Sequence, residues 1–360
     1  MQRIILHIDL DSFYASVEEL RHEEIRGKAV VICVYSGRSD DSGAVSTANY
    51  KARELGIKSG MPISLAKRIA KDKNVVFLPN DIEYYRTVSD RIMEILEEEV
   101  DIMQQVSIDE AYLDVTKKSM EDWNNAKKIA ERIKKKIMEQ ENLTCSVGIG
   151  SNKLVAKMAS KHKKPDGLTV IKDIEVKDFF ENLPVSKIHG IGGKTTEILD
   201  ELGIKTGKEL ANFDVRILEE KFGINKAKLL LDKSRGMDDS LVEPKERQQI
   251  SRLGTLKEDT NDIEVIFEKI KELATDMKKK IEKEKVSFRT VSIITIDTTL
   301  KTQMRSQTIE ATNDLDSVLS IAKSLLENFL KENSEKKLRR IGIRVSNLIY
   351  KKEQRNLGEF

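Results

Sequence analysis

The strongest constraint on the fold is an acid inside an otherwise apolar strand. Ile4 to Leu10 (IILHIDL) reads as a buried β-strand, yet it carries Asp9 and runs without a break into Asp11 and the helical pattern SFYASVEEL. Asp11 or Ser12 can serve as the helix N-cap, so the chain opens with a strand-to-helix turn bearing two carboxylates. Further along, Ile102 to Val115 contains VSIDEAYLDV, whose alternation fits two short strands meeting at a tight turn around Asp109 and Glu110. Gathering like charges raises their pKa values and desolvates them. A fold that brings Asp9, Asp109 and Glu110 to the rim of one sheet therefore needs a compensating cation. On spacing alone, these acids read equally well as caps and turn residues.

The residue types around the acids favour a hard cation. The four histidines are scattered without partners at metal-ligand spacing, which argues against zinc. Cys33 and Cys145 sit in the runs AVVICV and LTCSVGIG, as small packed hydrophobes rather than a disulfide framework. An all-oxygen donor set suits Mg²⁺, with Mn²⁺ as a substitute. Two such ions can clamp the attacking and leaving oxygens of an in-line phosphoryl displacement. Lys and Arg total 63 against 61 acids, so any basic surface for a polyanion must be local. No apolar run approaches the roughly 18 residues of a membrane span, and a soluble, cytoplasmic protein is expected.

At 360 residues the chain is long enough for several cores. Ala29 to Tyr35 reads as a second strand, and SGRSDDSGAVSTANYKAREL as a loop that ends in a helix. Tyr84 to Val100 and Ala126 to Glu141 repeat apolar residues on one helical face, Thr144 to Ile149 reads as a strand and Asn152 to Ser160 as a helix. From about Asp173 come short helices with glycine turns, and the polar, aperiodic Met237 to Gln249 reads as a linker. Beyond it the order is strand, helix, strand, strand, helix, strand, the βαββαβ or ferredoxin-like plan. In the last strand Ile341, Ile343 and Val345 alternate with Arg340, Gly342 and Arg344, which predicts helices on one face and arginines on an open one suited to a phosphate backbone.

Five motifs in consistent order, IDLDSFYASVEE, SGAVSTANYKARELGIKSGMP, SIDEAYLD, TCSVGIGSNKLVAKMASKHKKPDG and IHGIGGKTTEILDELGI, resemble Y-family (translesion) DNA polymerases of the DinB or DNA polymerase IV type, in their archaeal branch. The resemblance runs from residue 3 to about residue 348. It implies an α+β multidomain fold shaped as a right-hand polymerase. The palm is expected in residues 1–21 and 79–171, the fingers in 22–78, the thumb in 172–236, a linker in 237–249 and a βαββαβ little finger in 250–349. It also implies a DNA-template-directed enzyme that adds dNTPs to a primer 3′ end with two Mg²⁺, at low fidelity. Asp9, Asp109 and Glu110 then become the metal-binding triad, joined by the backbone carbonyl of Leu10. Tyr14 becomes a steric gate against the 2′-hydroxyl, and Thr47, Tyr50, Arg53 and Lys164 contact the triphosphate. Ser107 lies near the primer end, and the small Ala44 leaves a roomy pocket that tolerates damaged templates. Ser12 departs from the aromatic that some archaeal relatives carry there. No stretch resembles a proofreading exonuclease.

The segment GIGGKT, with Gly190, Gly192 and Lys194, resembles the hairpin of a helix-hairpin-helix unit, whose backbone N–H groups hold a DNA phosphate. Arg252, Lys301, Arg340 and Arg344 are expected on duplex DNA. The tail in residues 350–360 ends QRNLGEF, which fits a sliding-clamp peptide anchored by Gln354, Leu357 and Phe360. A monomer is expected, with primer-template, dNTP and clamp as partners. Two rivals share parts of this pattern: a nucleotide cyclase with the same carboxylates on a ferredoxin-like sheet, and a non-catalytic DNA-binding protein recruited by the clamp.

Overall fold

A computed structural model describes residues 3–244 and 246–350. Its elements in chain order are β1 (Ile5–Leu10), α1 (Phe13–Arg21), β2 (Ala29–Tyr35), β3 (Gly43–Ala48), α2 (Tyr50–Glu54), α3 (Ile63–Ile69), β4 (Val75–Pro79), α4 (Ile82–Glu99), β5 (Ile102–Gln105), β6 (Glu110–Asp114), α5 (Trp123–Glu141), β7 (Cys145–Gly150), α6 (Lys153–His162) and β8 (Leu168–Val170). The short helices α7 (Asp173–Glu181), α8 (Gly193–Glu201), α9 (Gly207–Ala211), α10 (Val215–Phe222) and α11 (Ile224–Ser234) follow. Last come β9 (Gln249–Thr260), α12 (Ile263–Glu284), β10 (Val286–Asp297), β11 (Thr302–Thr312), α13 (Leu315–Glu332) and β12 (Leu338–Tyr350). The chain divides into two compact units, residues 3–32, 46–59 and 69–244, and residues 33–45, 60–68 and 246–350.

The first unit is built on the sheet β5-β6-β1-β7-β8. Period-two alternation in β1 sends Ile4, Leu6, Ile8 and Leu10 into a core with Val88, Ile92 and Leu96 of α4 and Ile129, Ile133 and Ile137 of α5. His7 and Asp9 therefore face the other way, towards α6. The short helices form their own core around Phe180, Leu199, Leu210 and Leu218.

Three strands, β3, β4 and β8, escape the sequence reading. GAVSTA forms β3 where a loop is expected, because its small side chains give a weak strand signal, and the three residues of β8 pair in parallel with β7. The expected linker is pinned over its first half: Val242 is buried with Ile5, Tyr112 and Ala156, and Lys153 Nζ donates to the Leu241 carbonyl at 2.8 Å.

In the second unit the expected βαββαβ order is present, and α12 and α13 bury Ile341, Ile343 and Val345 of β12. The strand order β11-β10-β12-β9 puts the second and fourth strands at the centre. The ferredoxin-like plan would put the first and third there, so the element order holds and the sheet order is a correction to it. Among the described residues no helix is long and apolar enough to cross a membrane.

Candidate active site

Backbone pairing gathers the three carboxylates. Asp9 lies opposite Glu110 in the β1–β6 ladder, and the Leu10 N–H donates to the Asp109 carbonyl at 2.9 Å. A strand residue turns its N–H and C=O to the same side, so the Leu10 carbonyl also faces the turn that carries Asp109. That turn is tied by Ser107, whose Oγ donates to Asp109 Oδ1 at 2.5 Å.

The side chains meet three different environments. Lys164 Nζ forms an ion pair with Asp9, and Lys157 Nζ forms one with Glu110. Asp109 has no ion pair among the described residues; burial, then the charges of Asp9 and Glu110, push its carboxyl up despite the Ser107 hydrogen bond. The His7–Lys157 pair beneath it, through the Lys157 ammonium and against the cost of burial, holds the Glu110 carboxyl down at about 2. Among the described residues, no three acid, histidine or cysteine side chains stand close enough together to hold a metal ion. The donors nevertheless fit a hard cation: they are all oxygen, two already carry an ammonium as a stand-in, and the third is an uncompensated charge.

Asp11 does not cap α1. Its buried carboxylate accepts from Tyr50 Oη at 3.2 Å, Ser146 Oγ at 2.8 Å and the Asp166 N–H at 2.8 Å. It thereby joins α2, β7 and the turn carrying Lys164. Ser12 takes the cap position with φ 47°, forms no capping bond, and its buried Oγ has no partner.

Tyr14 stacks on Tyr85, with centroids 4.5 Å apart and planes at 19°. Burial, and next the Asp109 charge, raise its hydroxyl pKa. Tyr50 and Arg53 lie on α2, and the Arg53 guanidinium sits 5.1 Å from the Tyr50 ring centroid. Thr47 lies on β3, two residues before Asn49, the N-cap of α2. Lys164 reaches Asp9 while its neighbour Lys163 is exposed.

Gly190 has φ +88°, and Lys233 Nζ donates to the adjacent His189 carbonyl at 2.9 Å. Gly192 is the N-cap of α8, with open space around it, and Lys194 is exposed in the first turn. In the second unit, Arg340 lies opposite Ile296 and Thr255, and Arg344 opposite Ser292 and Ser251, all on the face away from the helices. The Nε atoms of both arginines are buried without a hydrogen-bond partner. Arg252 pairs with Ile343 and so lies on the helix-bearing face, apart from them. Lys301 is exposed in the β10–β11 turn. Gln354, Leu357 and Phe360 lie outside the described residues.

The impB/mucB/samB family profile matches residues 8–161, its HHH motif residues 175–204 and its C-terminal domain residues 247–358. The chain is 45% identical over 368 residues to DNA polymerase IV of Methanosarcina acetivorans, covering 100% of both. It is 39% identical over 361 residues to DNA polymerase IV of Nitrosopumilus maritimus, covering 99% of each. Among solved structures, the Y-family DNA polymerase chimera Dbh-Dpo4(243-245)-Dbh aligns with TM-score 0.91 at 36% identity, over 97% of this chain and 100% of that one. An insertion ternary complex of Dbh DNA polymerase aligns with TM-score 0.72 at 35% identity over the same shares. With profile matches over most of its length and full-length relatives at this identity, the chain belongs to the Y-family of DNA polymerases.

Proposed function

We propose that the chain is a DNA-template-directed DNA polymerase of the translesion type, extending a primer 3′ end with dNTPs, and that Asp9, Asp109, Glu110 and the Leu10 carbonyl form its metal centre. The observation that carries this is the β1–β6 register, which sets Asp9 against Glu110 and ties Leu10 to Asp109 in a chain that matches DNA polymerases from end to end. Two Mg²⁺ held there would supply activation of the 3′-hydroxyl and neutralisation of the triphosphate.

The chain's own residues do the rest. Tyr14, braced against Tyr85, presents a rigid ring as the gate against a 2′-hydroxyl. Tyr50, Arg53 and Thr47 offer phenol, guanidinium and hydroxyl to phosphate oxygens. Lys164, held through the turn that Asp11 anchors, follows the triphosphate from its place beside Asp9. Gly190, Gly192 and Lys194 receive a DNA phosphate in the thumb, and Arg340, Arg344 and Lys301 meet the duplex from the little finger. Arg252 drops out of the set because of its register. The palm, fingers, thumb and little finger are assigned the limits given in the sequence analysis, and the tail anchors Gln354, Leu357 and Phe360 are assigned to the clamp.

Primer extension tests the proposal. Wild-type protein with Mg²⁺ should extend a primer only when template is present, and Asp9→Ala or Asp109→Ala should lower the rate by at least about 10³-fold, roughly 4 kcal/mol in the barrier. Undiminished extension by either variant would overturn it.

A further inference from the structure

Gly148 lies opposite His7 in the β1–β7 ladder. A Cβ there would come 2.0 Å from the Ala156 carbonyl and 2.2 Å from the Ser160 N–H, so the missing side chain is what lets α6 settle directly on the sheet. That approach brings Ser160 and Lys157, one turn apart on the buried face of α6, to the His7 ring, and all three are nearly or fully buried. His7 Nδ1 is 2.8 Å from Ser160 Oγ, Ser160 Oγ donates to the Lys157 carbonyl at 2.9 Å, and Lys157 Nζ is 3.3 Å from His7 Nε2. An ammonium can only donate, so His7 Nε2 accepts from Lys157 and Nδ1–H donates to Ser160. This is a closed ring of three hydrogen bonds with a single proton arrangement.

The ring has one outlet. Lys157 also binds Glu110 Oε2, the same oxygen that lies 3.4 Å from His7 Nε2. Tyr112, the Cα partner of His7 on β6, flanks the imidazole with ring centroids 4.7 Å apart. One Glu110 oxygen is thus fastened from beneath, while no hydrogen bond or ion pair holds Oε1 among the described residues.

We propose that His7, Ser160 and Lys157 are positioning residues that fasten one oxygen of Glu110 so that the other is presented to a divalent ion. The inference rests on Glu110 being a metal ligand. Residues that orient a ligand from behind typically change metal affinity by about 10–100-fold when removed. His7→Phe and Ser160→Ala alter no charge, so their effect reads orientation alone. Lys157→Met removes a cation, and Lys157→Arg restores one.

Mn²⁺ affinity is measured by electron paramagnetic resonance of the free ion, with full-length protein, a dideoxy-terminated primer-template and a matching dNTP, so that no chemistry occurs. Expected is a roughly tenfold or greater loss in His7→Phe and Lys157→Met, a smaller loss in Ser160→Ala, and partial rescue in Lys157→Arg, with circular dichroism confirming folded variants. Wild-type affinity in His7→Phe and Ser160→Ala, or a rise in Lys157→Met, overturns the proposal, since the latter would make Lys157 a competitor of the metal. Asp109→Ala separates the two ideas. Loss of Mn²⁺ in that variant with normal binding in the others sinks only the positioning role, whereas normal binding in Asp109→Ala sinks the metal centre itself.

Discussion

Single residues show that the three carboxylates are not equivalent. Glu110 is held ionised by Lys157, which His7 braces, and Asp9 is paired with Lys164, but Asp109 has no ion pair among the described residues and its carboxyl is pushed above the ordinary 3.8. A carboxyl with a raised folded-state pKa binds its proton more tightly in the folded protein. Ionised Asp109 therefore costs the metal-free protein nothing below 3.8 and its full penalty once the pH exceeds the folded value. Asp109→Asn removes the penalty. At pH 7 in chelator its melting temperature should exceed the wild type's, each kcal/mol relieved being worth about 1–2 °C in a chain of this length, and the gap should narrow as the pH is lowered towards 3.8. Added Mg²⁺ should raise the wild-type midpoint and leave the variant's nearly unchanged. Scanning calorimetry reads both, and a variant that melts below the wild type at pH 7 would mean that Asp109 is stabilised where it stands. The acids themselves are legible in the sequence because they break an apolar pattern. The sequence leaves Asp11 and Ser12 as alternative caps and does not disclose the anchoring contacts of Asp11, because its partners, Tyr50, Ser146 and Asp166, are distant in sequence and meet it only through tertiary packing.

Elements with a strong period are legible, and those defined by close approach are not. The i, i+4 apolar spacing of α4 and α5 and the alternation of β12 announce both cores. In contrast β3, built from small residues, and β8, three residues long, owe their place to neighbouring strands. The His7 ring of hydrogen bonds is invisible for the same reason, as it depends on Gly148 standing opposite His7 and under α6. Gly148→Ala tests that dependence. Its Cβ would meet backbone atoms that cannot rotate away, so α6 must lift, at a cost of about 1–3 kcal/mol or more. The melting temperature should fall by about 1–4 °C or more, with faster amide exchange in residues 153–162. Gly193→Ala, where a Cβ meets nothing within 4 Å, should leave the midpoint unchanged or slightly raised, because alanine suits a helix better than glycine. Equal effects of the two substitutions would mean that the α6 contact yields freely.

On the scale of the whole molecule, the proposed metal centre lies in one unit and the proposed DNA-binding face in the other, and composition hides the second because acids and bases nearly cancel. Alternation in β12 reveals which residues share a face within a strand, but it does not reveal how a neighbouring strand is registered against it. Arg252 illustrates the gap: the pairing Val345↔Ile250 forces Arg252 opposite Ile343, on the helix side, while Ser251, Leu253 and Thr255 join Arg340 and Arg344 on the open face. Each arginine that neutralises a DNA phosphate contributes about 0.9 to the slope of log Kobs against log salt. Arg340→Gln with Arg344→Gln should therefore lessen that slope by about 1.8, and Arg252→Gln should leave it as in the wild type. Fluorescence anisotropy of a labelled primer-template, titrated at several salt concentrations, measures all three proteins. If Arg252→Gln flattens the slope as much as either partner does, strand register does not select the arginines that meet DNA. If only the open-face pair does so, the DNA surface follows from which side of one strand each side chain leaves.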